Sequence, residues 1–176
     1  MKRLVLSGLV LVAGAWLAGP AGAETPEQFT QVTGKEFDGA IVPNFYLEGN
    51  AIPVQKRNAA MLKCACGKRI VFALLDTSGY SIDVQQKYHG MVTTEKGITL
   101  GGAAVPVGAF GLGLQKPEAP SEAPAKVFFY DVAGQKVAEG TAQYDAKLAQ
   151  PVPLQVVVEK DKAPRLLLGR YVLELK

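Results

Sequence analysis

Cys64 and Cys66 stand one residue apart in this 176-residue chain. Alternate residues of a strand face the same way, so on a strand both thiols would share a face and could hold a soft ion such as Cu(I), with His89, Met61 and Met91 as further ligands. A bond between them is a second reading. The i,i+2 Cα separation of a regular strand is ~6.6 Å, at the upper edge of what a disulfide spans, so the bond would need local distortion and would be easily reduced. The third reading is the usual one for free cysteine: two small buried hydrophobes on the core face of a hairpin. Two thiolates and one imidazole fall short of the four ligands of a closed zinc site. His89 is the only histidine. A Ser-His-acid assembly would draw on Ser78 or Ser81 and Asp76 or Asp83, but the chain has no G-x-S-x-G elbow, and Tyr88-His89-Gly90 reads first as a hydrogen-bonded turn.

The segment Ala73-Leu74-Leu75-Asp76-Thr77-Ser78-Gly79 resembles the apolar-apolar-D-T-G element of retroviral-type aspartic proteases. Leu167-Leu168-Gly169-Arg170 is similar to their second apolar-apolar-Gly element. The resemblance implies Asp76 as an acid sharing a proton with the Asp of a second copy, and Thr77 as its supporting hydroxyl. Ser78 departs from the motif, which has Gly there, and the chain holds no second D-T-G. The simpler reading is a strand ending in a turn whose Asp76 side chain bonds its own backbone.

These residues need elements to position them, and the composition bounds those elements. With 48% hydrophobic and 20% charged residues, the chain is an ordinary globular one; disorder, collagen and coiled coil are excluded, and two Cys cannot form a disulfide framework. Lys2 and Arg3, an apolar run from Leu4 to Leu17, and small residues ending in Ala21-Gly22-Ala23 predict a signal peptide over residues 1–23 and a periplasmic or extracellular protein. The apolar run is shorter than the ~20 residues that span a bilayer, so no stable membrane span is expected after cleavage. Removing Lys2 and Arg3 from the 19 basic residues leaves 17 against 16 acidic ones, a balance with no hint of nucleic acid.

Residues 24–44 read as an extended N-terminal arm with at most a short strand near Gly39 to Val42, and residues 45–176 as one domain. Met61–Cys66 and Arg69–Asp76 form a predicted hairpin around a two-residue Gly67-Lys68 turn. Ser81 heads one or two helical turns to Tyr88. Residues 90–115 read as short strands broken by Gly and Pro, with Gly111 and Gly113 marking a bulge or a close backbone neighbour. Lys116–Ala125 carries three Pro and is an exposed loop. Ala133-Gly134 closes another hairpin, and the segments around Leu154–Lys160 and Arg165–Leu175 supply a final strand pair. Eight to ten strands with almost no helix predict an all-β fold: a single antiparallel β-sandwich or small barrel. Its core is expected from Leu62, Val71, Phe72, Leu74, Val127, Phe129, Val156, Val158, Leu166, Leu168 and Val172, with no metal or disulfide needed as a staple.

The stretch ITLGGAAVPVGAFGLGL resembles the GG-x-x-V-P-x-G-x-F hairpin of uncharacterised secreted bacterial proteins of the DUF2911 kind, through Gly101, Gly102, Val105, Pro106, Gly108 and Phe110. The resemblance implies a β-sandwich-like domain and brings no catalytic residue. The same residues have physical roles of their own: Gly101-Gly102 turns the chain, and Gly108 precedes Phe110, which plugs the core.

Phe45, Tyr46, Tyr80, Tyr88, Phe110, Phe128, Tyr130 and Tyr171 are candidates for a binding face. Because Phe128, Phe129 and Tyr130 are consecutive, at least one ring must point away from any single buried surface. The expectation is therefore an exported, non-enzymatic binding or structural module without a cofactor, with an unknown protein or small-molecule partner. The alternatives are an aspartic-type hydrolase centred on Asp76 and Thr77, or periplasmic copper handling through Cys64, Cys66 and His89.

Overall fold

A computed structural model describes residues 28–118 and 122–176. The expected signal peptide lies outside the described residues. The elements run β1 (Phe29–Val32), α1 (Lys35–Ala40), β2 (Asn44–Leu47), β3 (Asn50–Cys64), β4 (Arg69–Leu75), α2 (Ile82–Lys87), β5 (Gly90–Thr94), β6 (Ile98–Leu100) and β7 (Ala103–Val105). They continue with β8 (Gly108–Gln115), β9 (Ala125–Tyr130), β10 (Lys136–Tyr144), β11 (Val152–Val157), β12 (Arg165–Gly169) and β13 (Tyr171–Glu174). One antiparallel sheet has the order β1-β3-β4-β5-β8-β9-β10-β13-β12-β11, with β2 also paired to β3. Its last strand, β11, packs back against β3 and β4, so the sheet curls into a nearly closed barrel. The fold is all-β, and of the two expected arrangements it is the small barrel. No helix among the described residues is long and apolar enough to cross a membrane.

Alternation sorts the side chains into two cores. Leu62, Ile70, Phe72, Val92, Leu112, Val127, Phe129, Leu166, Leu168 and Leu173 fill the barrel. Their neighbours in sequence point outward: Met61, Val71, Ala73, Leu75 and Met91 join Phe45, Leu47, Ile52, Val84 and Tyr88 in a second cluster on the outer face. The unbroken apolar run of β4 follows, since a strand covered on both faces has no solvent side to alternate with. Val158 and Val172, expected in the core, are respectively exposed and half-buried: Val158 lies just past the end of β11 at Val157, and Val172 alternates outward between the inward Tyr171 and Leu173.

Turn chemistry explains the pairings. Gly101 and Gly102 have φ of 58° and 82°, so they form the two-residue turn joining β6 to β7, where Leu100 faces Ala103. The predicted hairpin of β3 and β4 is present, but its turn differs from the expected one. Cys64 and Lys68 are bonded through the Cys64 N–H and the Lys68 carbonyl at 2.9 Å, the Gly67 N–H donates to the Cys64 carbonyl, and Gly67 has φ of 81°. The loop is therefore three residues, Ala65 to Gly67, ending in a left-handed Gly that forms a bulge. The predicted final strand pair is a three-stranded corner, because Gly169 and Arg170 reverse the chain between β12 and β13.

The segment read as an extended arm contributes β1, paired to β3, then a helix where a short strand near Gly39 was expected. Glu36 and Asp38 in the first turn of α1 favour its N-terminus, and Phe37, Ala40 and Ile41 pack on the outer cluster. With β1, β2 and the divided corner, the described residues hold more strands than the eight to ten expected. The helical turns after Ser81 are α2, whose N-cap Ser81 hydroxyl accepts from the Val84 N–H.

Truncation separates the two sides of the corner. Leu173→Ala removes a fully buried side chain and is expected to cost ~2–5 kcal/mol. Val158→Ala, at a 36% exposed position, should stay within ~0.5 kcal/mol. Urea midpoints at unchanged slope report both.

Candidate functional site

The residues singled out for chemistry do not converge on one place. Cys64 and Cys66 are joined in a disulfide with a Cα–Cα separation of 5.1 Å, which the turn supplies and a regular strand would not. They are therefore neither the free buried thiols expected first nor a thiolate pair. Cys64 is buried in the barrel core and Cys66 is exposed. Met61 and Met91 lie on the opposite, outer face of the sheet. His89 is at the other end of β4: its carbonyl accepts from the Leu75 N–H, whereas the disulfide hairpin closes at the pairing of Lys63 with Arg69. Six residues of strand separate these points, ~20 Å at a strand's rise. Among the described residues no three His, Cys, Asp or Glu side chains gather as a cation site.

Asp76 follows the end of β4 in a self-bonded turn. Its carboxylate accepts from the Ser78 N–H at 3.2 Å and from the Ser78 hydroxyl at 2.7 Å. These bonds favour the charged form and hold its pKa below the ordinary carboxylate value. Thr77 is half-buried beside it. The Ser81 hydroxyl caps α2, and His89 Nδ1 accepts from the Leu114 N–H at 3.1 Å, so none of these bonds links His89 to a Ser or an Asp.

His89 instead borders a cleft of about 460 Å³ on the outer face of the barrel, between the end of α2 and strands β8 and β9. Its wall is Phe128 and Tyr130, both half-buried, while Phe129 between them is fully buried in the barrel. The three consecutive aromatics thus divide as alternation requires. Gly113 forms the floor: a Cβ there would sit 2.5 Å from the Lys87 carbonyl oxygen and 3.1 Å from the Tyr130 ring. Lys87, Lys116, Gln86 and Gln115 supply polar groups around the opening.

A network fixes one edge of this cleft. Glu48, at the tip of the β2–β3 hairpin, pairs with the Lys87 ammonium and accepts from the Tyr88 hydroxyl at 2.7 Å. Lys87 also donates to the Gly134 carbonyl at 2.8 Å, and its ammonium lies 5.2 Å from the Tyr88 ring centroid and 4.9 Å from that of Tyr130. The bonds from Lys87 and Tyr88 lower the Glu48 pKa, while burial and Glu48 raise that of the Tyr88 hydroxyl. Glu48, Lys87, Lys116 and Gly113 are absent from the sequence-based candidates. Only the spacing of Gly111 and Gly113 in β8 signalled that something approaches there, and α2 is that neighbour.

No protein-family model, curated protein or solved structure matches the chain.

Burial and the neighbouring Lys116 charge lower the His89 pKa from its ordinary value near 6.5. The unfolded chain therefore binds a proton at this site more readily than the folded one. Stability from this group is complete well above the unfolded value of 6.5 and is lost as pH falls through 6.5 toward the folded-state value. The wild type should lose urea resistance between about pH 7.5 and about pH 5.5, and His89→Asn should lose less. The carboxylates held low by their partners, such as Glu48 and Glu95, lose their contribution only below their ordinary value of 4.5, so this interval isolates His89.

Proposed function

We propose that the protein is an exported, non-enzymatic binding module, and that the cleft beside His89 takes a small organic anion with a flat apolar part. One observation carries this reading: Phe128 and Tyr130 turn outward from a strand whose intervening residue is buried, and each ring has a lysine ammonium over it, Lys136 over Phe128 and Lys87 over Tyr130, which also packs edge-on against Tyr88. An outward aromatic pair beside Lys116 and Lys87 offers a stacking wall and positive charge to one ligand. Lys87 is already neutralised by Glu48, so Lys116 supplies the charge left for an anion. His89, whose Nδ1 is occupied as an acceptor, keeps Nε2 as a donor when neutral.

Export rests on the sequence of residues 1–23. The resemblance to secreted proteins of the DUF2911 kind supports the same reading, and neither calls for a cofactor.

Naphthalene-2-sulfonate carries both features of the proposed ligand, and sulfate carries one. Amide chemical-shift mapping should place naphthalene-2-sulfonate at His89, Leu114, Lys116 and Tyr130, with sulfate shifting them far less. Phe128→Ala and Lys116→Ala should each weaken binding by about tenfold, the order of one lost stacking or charged contact. Arg165→Ala, in a separate cleft lined by Tyr144 and Glu174, should leave it unchanged. Shifts that map elsewhere, or equal losses in all three variants, would refute the assignment.

A further inference from the structure

The disulfide of the β3–β4 hairpin is poorly placed to act as a staple. A cross-link stabilises chiefly by removing freedom from the unfolded chain, and its return grows with the length of the loop it closes. Cys64–Cys66 closes over Ala65 alone. The ends it joins are already held: Cys64 and Lys68 bond through their backbones, Gly67 bonds back to Cys64, and the Ala65 N–H donates to the Gln28 carbonyl. Cys64 also faces Phe29 across the β1–β3 pairing.

The two sulfurs differ in what surrounds them. Cys66 is at the exposed tip, where an incoming thiol can reach it. Cys64 is 4% exposed, among barrel side chains, and its Sγ accepts the Lys68 N–H at 3.3 Å. A backbone N–H directed at sulfur favours the thiolate over the thiol, because it bonds to the charged form. Lys68 itself adds a positive side chain at the same turn. In exchange chemistry the attacked sulfur must be accessible, and the departing sulfur leaves faster when its thiolate is stabilised. Those two requirements fall on Cys66 and Cys64 respectively.

We propose that Cys64–Cys66 is a thiol–disulfide exchange site that accepts two electrons from a thiol pair on another molecule. The first thiolate of that pair attacks Cys66 Sγ. A sulfur–sulfur bond forms to Cys66, the Cys64–Cys66 bond breaks, and its electron pair stays on Cys64 as a thiolate held by the Lys68 N–H. The second thiol of the donor, deprotonated, then attacks its own sulfur in the mixed disulfide and expels the Cys66 thiolate. The donor leaves as a disulfide, oxidised by two electrons, and the two protons from its thiols go to Cys64 and Cys66. This site is independent of the aromatic cleft and does not rest on its assignment.

Dithiothreitol serves as the donor pair, and oxidised glutathione as the disulfide that reports which cysteine is reached from solvent. In the purified native protein, dithiothreitol should reduce the bond without denaturant, followed by alkylation and mass measurement, and the urea midpoint of the reduced protein should stay close to that of the oxidised one. Oxidised glutathione should form a mixed disulfide with Cys64→Ser, which leaves Cys66 free, more than about tenfold faster than with Cys66→Ser, which leaves Cys64 free. Reduction that proceeds only in denaturant, or a large fall in midpoint on reduction, would make the bond a staple and overturn the proposal. Equal rates in the two single variants would overturn the assigned direction of attack. The double variant Cys64→Ser with Cys66→Ser should keep the wild-type far-UV spectrum, and loss of fold in it would likewise count against the site.

Discussion

Strand β4 needs cover on both of its faces. Ile70 and Phe72 point into the barrel, while Val71, Ala73 and Leu75 point out of it. The inner side is satisfied by closure of the sheet, since β11 returns against β3 and β4 and brings Val156 and Leu166 with it. The outer side has no second sheet. It is covered by the β2–β3 hairpin, by α1 and by α2, which contribute Phe45, Leu47, Phe37, Val84 and Tyr88. Burial of apolar area is the main stabilising term in such an arrangement, and it dictates where the covering pieces lie. The position of the cleft follows: α2 docks beside β8, with Val84 and Tyr88 buried in the outer cluster. Gly111 and Gly113 leave room for it, since a Cβ at 111 would meet the Tyr88 ring at 2.8 Å and one at 113 the Lys87 carbonyl at 2.5 Å. The cleft is the space left beside that docking.

The Glu48–Lys87 pair illustrates how polar groups follow from the same packing. Both side chains are about one-third exposed, so the pair gains modestly from Coulomb attraction and gives up part of its hydration. Its clearer effect is geometric. The ammonium is bound on one side by Glu48 and the Gly134 carbonyl and on the other rests against the Tyr88 and Tyr130 rings. Three segments distant in sequence, the turn after β2, the end of α2 and the β9–β10 hairpin, meet at this one cation. The Glu48 N–H adds a bond of 2.8 Å to the Val132 carbonyl. A lysine so held defines an edge of the cleft, and Lys116 lines the rim farther along.

What could be read from the chain before its structure was the local part. Ser81 at a helix start, Gly101-Gly102 at a turn, the hairpin around Gly67 and the opposed directions of Phe128 and Phe129 each follow from a short-range rule, and each is present. The differences between sequence and structure share a cause: a short-range rule holds only where the element's boundary and its distant partner are also in place. Cys66 was assigned to a strand, where a bond to Cys64 is strained; in a three-residue loop the same pair comes within 5.1 Å. The apolar character of the strand segments suggests a core place for Val158 and Val172, yet β11 ends at Val157 and Val172 alternates outward between Tyr171 and Leu173. Residues 35–40 lack the length for a helix that stands alone, and α1 exists because Phe37 and Ile41 have an apolar surface to dock on. The cleft was the least legible feature, since Glu48, Lys87, Gly113 and Lys116 have no shared motif and meet only through the curl of the sheet.

The two chemically distinctive places of the molecule lie at opposite ends of one strand, and the nature of that strand keeps them apart. A coupling between sites requires an element with two arrangements that both sites bias. Strand β4 is poorly suited to be one: it is paired on both edges, by β3 and β5, and packed on both faces, and sliding it by one residue would exchange the inner and outer side chains throughout. The irregular stretch of β3 between Gln55 and Ala59 lies beside its far end, toward His89, and Asn58 donates to Gln55 there at 2.7 Å, leaving the disulfide end in regular register. Paired and packed on every side, β4 holds the disulfide hairpin and the cleft beside His89 apart, as a spacer between them rather than a lever.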